Sequence, residues 1–98
     1  MIFKNPWYLI ESEKEKVNLE TELKKEVHKK HILFLYAQDA VALARNASDD
    51  NVIYKLNDGK FGLVHLTWVE TAEWEKEFPF TKIFENISEL MKAIEIEF

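Results

Sequence analysis

The stretch that most restricts the fold is Asn57-Asp58-Gly59, a turn signal set between two β-rich runs, Val52 to Leu56 and Phe61 to Trp68. Asp-Gly tolerates the left-handed backbone that a tight hairpin requires, so two antiparallel strands are expected to meet there. Along the second strand, Gly62, Val64, Leu66 and Trp68 fall on one side and Phe61, Leu63, His65 and Thr67 on the other. An isolated hairpin is only marginally stable in water, so a third strand is wanted. The preceding block is ambiguous, because Ile32-Leu33-Phe34-Leu35-Tyr36 followed by Ala40-Val41-Ala42-Leu43-Ala44 suits either a helix or extended chain. The need for a third strand tips it towards extended, with Val41 to Arg45 as the candidate. Asn46 to Asn51 is then the turn into Val52.

Helical spacing brackets the hairpin. Leu19, Leu23 and Val27 recur at i, i+4 and i+8. Ser12 with Glu15 fits a capping box, but Asn18 is a rival cap, followed by Glu20 and Glu22 where the helix dipole favours anions. The charged run Glu11 to Lys16 offers no face to bury, which favours a start at Asn18 and a helix from Leu19 to Lys29. Pairs such as Glu20 with Lys24 and Glu26 with Lys30 would add about 0.2 to 0.5 kcal/mol each. Near the C-terminal end, Asn86 and Glu89 form an Asn-x-x-Glu box ahead of Ile87, Leu90, Met91 and Ile94, which predicts a helix over 87–95. The tail Glu95-Ile96-Glu97-Phe98 alternates and could instead add a short edge strand. Val69 to Lys76 with Phe78-Pro79-Phe80-Thr81 is read as a long connection that breaks any element.

With 98 residues, two glycines, two prolines, 47% hydrophobic and 13% aromatic residues, the chain suits one core rather than two, and not disorder. The expectation is a single small α+β domain over residues 1–98: an N-terminal helix, a three-stranded antiparallel β-meander and a C-terminal helix. The absence of cysteine excludes disulfides, thiolate metal sites, cysteine nucleophiles and iron–sulfur clusters. Two isolated glycines, Gly59 and Gly62, leave no P-loop or dinucleotide fingerprint. No cofactor is called for. Met1 to Pro6 lacks the apolar run and cleavage site of a secretory signal, and no apolar stretch reaches the 18 or so residues that span a bilayer, so a cytoplasmic chain without a membrane segment is expected.

The formal charge of -5 is unevenly spread, +1 over residues 1–30 and -6 over residues 31–98. With Arg45 the only arginine, phosphate-backbone binding has little to work with, and no nucleic-acid partner is expected.

The run Asp58-Gly59-Lys60-Phe61-Gly62-Leu63-Val64-His65-Leu66-Thr67-Trp68 resembles a group of small bacterial proteins built around Asp-Gly followed by Val-His-Leu-Thr-Trp. The likeness extends to His31-x-Leu33, Asp50 and Pro79-x-Thr81, and covers most of residues 18–90. It implies a helix first and a β-meander next. It brings no activity.

Three constellations could carry function. His28-x-x-His31 could place two imidazoles on one helical face, but Lys29 and Lys30 repel a cation and a helix terminus explains the pair, so no metal site is expected. His65 has a structural reading as a hydrogen-bonded imidazole that organises the sheet. Its functional reading is a small-ligand or hydrolytic site with His31 and Thr67, oriented by an acid such as Asp50 or Glu70, although no nucleophile or oxyanion loop accompanies it. Asp49-Asp50 reads as turn chemistry and Glu73, Glu75 and Glu77 as a solvated strip. Finally, Trp68, Trp74, Phe78, Phe80 and Phe84 crowd an acidic segment. They either close the core or, with Trp68, Glu73, Trp74, Glu75 and Phe78 as contacts, form an acidic aromatic surface for a basic protein partner. Inhibitors of basic nucleases share that size and charge, an analogy without a motif. The leading expectation is thus a non-enzymatic interaction domain with no catalytic residue, in which an exposed edge strand also offers a route to a homodimer.

Overall fold

Ser12 settles where the first helix begins. Its hydroxyl accepts from the Glu15 backbone N–H at 3.3 Å, and the chain is helical from Glu13 to Glu26. The computed structural model describes residues 3–27, 29, 31–68 and 79–97, ordered as β1 (Trp7–Leu9), α1 (Glu13–Glu26), β2 (Val41–Asn46), β3 (Asn51–Lys55), β4 (Phe61–His65), β5 (Phe80–Phe84) and α2 (Ile87–Glu97). The expected Asn18 start and Lys29 end are both corrected. The polar first turns need no apolar face, because the Glu15 carboxylate is held by the Tyr8 hydroxyl at 2.6 Å and by Arg45 at 3.4 Å. Glu20, expected to support Lys24, accepts instead from the Ala42 backbone N–H at 3.0 Å and ties α1 to β2.

The strands form one antiparallel sheet in the order β1-β2-β3-β4-β5. The meander is therefore present but two strands wider than expected. β1, at three residues, is too short to show alternation. β5 starts at Phe80, directly after Pro79, where a residue without an N–H costs a strand nothing, so the proline marked an entry rather than a break. The central hairpin is as expected: Leu56 N–H donates to Lys60 O at 2.9 Å, Lys60 N–H to Asp58 Oδ1 at 3.2 Å, and Gly59 takes φ +86°, which its missing Cβ makes inexpensive. Asp49 and Asn46 accept from Asn51 N–H and Ser48 N–H, both at 2.8 Å, so the β2–β3 corner is the expected turn chemistry.

Both faces of the sheet are covered. Val52, Tyr54, Val64 and Leu66 pack with Leu19 and Leu23 of α1, with Val27 at its C-terminal cap, and with Leu33 and Ala37 of the turn segment 31–39. Ile53, Phe61 and Leu63 pack on the other face with Leu90 and Ile94 of α2 and with Trp7. β2 serves both sides through a register shift at Leu43: Ala42 lies opposite Tyr54 and faces α1, while Ala44 lies opposite Ile53 and faces the α2 side. Asn86 caps α2 as expected, its Oδ1 accepting from Glu89 N–H at 2.9 Å. The helix runs on to Glu97, so residues 95–97 add no edge strand. Among the described residues, no helix is long and apolar enough to cross a membrane.

Candidate functional site

Polar side chains converge where the chain leaves β4 and meets α1. Glu22, Leu23 and Glu26 lie within one turn of each other on α1 and are all buried. Glu26 is fully buried, and its carboxylate is satisfied by the neighbouring turn: Oε1 accepts from Thr67 N–H at 2.7 Å and from the Thr67 hydroxyl at 2.9 Å, and Oε2 from Trp68 N–H at 2.8 Å. A buried carboxylate is tolerated only when hydrogen-bonded in this way.

Trp68 is the residue these bonds position. Its backbone is left-handed at φ +58°, a conformation that costs a bulky L-residue about 1 to 2 kcal/mol. One hydrogen bond to a charged group contributes about 1.5 to 3 kcal/mol, so Glu26 offsets that strain. The indole Nε1–H donates to Asp50 Oδ1 at 3.2 Å, and the Arg45 guanidinium lies 5.8 Å from the ring centroid. With its polar atoms engaged, the ring remains 44% exposed. Beside it runs an open groove of about 510 Å³, walled by Ser12, Lys14, Glu15, Asn18, Glu22 and Arg45 among others.

Glu22 is the least settled group here. It is 7% exposed, Lys25 Nζ lies 3.3 Å from its Oε1, and its buried Oε2 has no hydrogen-bond partner. Burial pushes its carboxyl up to about 7, helped by the Glu26 carboxylate beside it and opposed by Lys25. At neutral pH the side chain therefore keeps a proton for part of the time, and the acid form has a hydroxyl to offer Glu26.

Of the residues expected to bind, Trp68 is exposed at this groove, while Glu73, Trp74, Glu75 and Phe78 lie outside the described residues, as does His28. The alternative trio does not converge. His31 is buried: Leu33 N–H donates to its Nδ1 at 3.0 Å, which fixes the proton on Nε2, and Nε2–H donates to Pro79 O at 2.8 Å. The Thr67 hydroxyl is turned to Glu26. His65 is exposed and lies opposite Asn51 and Phe80, in the side-chain row of Phe61 and Leu63, so it faces the α2 side of the sheet rather than α1. Asp50, considered as a partner for His65, accepts from the Trp68 indole instead. Among the described residues, no three histidine, aspartate or glutamate side chains gather as a metal-binding group.

Glu15, Glu22, Glu26 and Arg45 were not singled out by sequence reasoning. A signal for two of them was present. Glu22 and Glu26 occupy the i+3 and i+7 positions of the stripe that begins at Leu19, so carboxylates stood where apolar residues belong. No family model, curated protein or solved structure matches this chain, and its α+β meander between two helices is the class the fold defines.

Proposed function

We propose that this chain is a non-enzymatic protein-interaction domain that docks a basic partner on Trp68 and the acidic segment following it. One observation carries the proposal. Trp68 holds a strained backbone, both of its N–H groups are satisfied within the chain, and its ring is nevertheless offered to solvent. A fixed, half-exposed tryptophan contributes large contact area at little entropic cost, which is how interface hot spots are built. The Glu15 carboxylate at the groove, Asp50 beside the indole, and the acidic residues expected at Glu73 and Glu75 suit lysine or arginine on the partner. By analogy of size and charge, an inhibitor or immunity protein acting on a basic target fits this description. The hydrolytic alternative around His65 and Thr67 has less support, since the Thr67 hydroxyl is engaged and His65 lies on the other face of the sheet.

The test is quantitative enrichment of partners from the native host with wild-type, Trp68→Ala and Glu73→Lys/Glu75→Lys baits, after circular dichroism shows each bait to be folded. A basic protein captured by the wild type should fall by about thirtyfold with Trp68→Ala, corresponding to a hot spot of about 2 kcal/mol. If both variants retain every partner, the proposal is wrong.

A further inference from the structure

We propose that Glu22 and Glu26 form a proton-operated latch on the Trp68 turn: with a proton shared between them Glu26 holds the turn, and loss of that proton loosens it. As regulation of docking, this rests on Trp68 being the partner anchor; as a property of the free protein, it does not.

The geometry is one-sided. All three bonds that tie residues 67 and 68 to α1 end on a single fully buried carboxylate, that of Glu26. Beside that carboxylate stands a second glutamate, Glu22, four residues earlier on the same helix, with a buried oxygen that lacks a partner. Protonated Glu22 supplies a donor to Glu26 and so answers that missing partner. Ionised Glu22 leaves two negative charges together in a poorly solvated place, where like charges repel strongly.

The surroundings give limited relief. Lys25, on the same helix, is the one cation near Glu22 among the described residues that makes an ion pair with it, at 3.3 Å and with its own side chain largely exposed. From β2, Arg45 is engaged with Glu15 and stacked over Trp68. From β3, the Tyr54 hydroxyl donates to Leu19 O at 2.7 Å, and burial and the neighbouring Glu26, Glu22 and Glu20 charges hold its proton firmly in place. Glu20 is turned to Ala42 N–H, and Lys14 lines the outer groove. The remaining contacts, from Thr67 and Trp68, are neutral donors to Glu26. On ionisation, what can yield is the bond set holding Trp68, because the left-handed backbone there is already strained.

The experiment is NMR on the intact chain from pH 5.5 to 8.5. The side-chain carboxyl carbons of Glu22 and Glu26 are followed together with the exchange protection of the Thr67 and Trp68 amides, corrected for intrinsic exchange. A Glu22 midpoint near 7 is expected, with protection of those two amides falling by about tenfold across it while Ile53 and Val64 in the core change less; tenfold corresponds to one pK unit of coupling. In Glu22→Gln, whose amide donates to Glu26 without a titratable proton, protection at residues 67 and 68 should be flat over the same range. The latch is overturned if Glu22 titrates as an ordinary carboxylate, if core amides lose protection equally, or if Glu22→Gln keeps the transition. A transition found alongside unchanged partner capture by Trp68→Ala would leave the latch standing and remove the docking proposal alone.

Discussion

The Glu22 carboxyl is held well above its ordinary value by burial, and the sign of its effect on stability follows directly. Its carboxyl is raised from 4.5 to about 7, so between those values the folded chain holds a proton that the unfolded chain has released. Its contribution is therefore fully present below pH 4.5, declines as pH rises, and is lost above about 7. Other carboxylates titrate in the same range, so the difference between wild type and Glu22→Gln isolates the group. Thermal melts should show Glu22→Gln gaining on the wild type by about 5 °C or more between pH 5 and pH 8, given about 4 to 8 °C per kcal/mol for a domain of this size. A constant difference across that range would refute the assignment. The same residue illustrates how sequence patterning can mislead. A glutamate on the stripe of Leu19, Leu23 and Val27 reads as a solvated helix charge unless its burial is known, and burial is a property of the tertiary packing around the helix.

At the scale of elements, what could be read from the chain divides by the range of the forces involved. The Asp58-Gly59 hairpin, the Asn86 cap and the alternation of Phe61 to Leu66 are local, and each is in the sequence as in the structure. The start of α1 was misplaced because its first turns are held by Tyr8 and Arg45, partners 7 and 30 residues away from Glu15. β1 and β5 were missed for the same reason, since each is defined by the neighbour it pairs with rather than by its own period. The candidate site was legible only at Trp68. Its remaining members meet through a helix, a hairpin corner and the exit of β4, a convergence no local pattern announces. The helix start is readily checked. Ser12→Ala should lower stability by about 1 kcal/mol in urea titration, while Asn18→Ala, an exposed position inside α1, should change it by less than about 0.5 kcal/mol. The reverse ranking would restore Asn18 as the cap.

For the molecule as a whole, one sheet joins two apolar layers that have no helix in common. Leu23 belongs to the α1 layer and Leu90 to the α2 layer, both fully buried, yet Ile53 and Tyr54 are consecutive residues of β3 facing opposite layers. Neither layer can melt without exposing the strand that carries the other. Leu23→Ala and Leu90→Ala should each cost about 2 to 5 kcal/mol, and in both variants far-ultraviolet circular dichroism and tryptophan fluorescence should report one coincident transition. Separate transitions would mean that the layers fold as independent units.

The strand order has a further consequence for a chain made from its N-terminus. β2 to β5 each join the strand immediately before or after them, so that part of the sheet can be laid down as it is synthesised. β1 waits longest for its partner, because Leu9 and Val41 are separated by the whole of α1 and the turn segment, and closing so long a loop is entropically the costliest pairing in the sheet. On the ribosome, then, the long wait falls on the strand that precedes α1, and α1 has no sheet to lie on until the hairpin that follows it has left the exit tunnel.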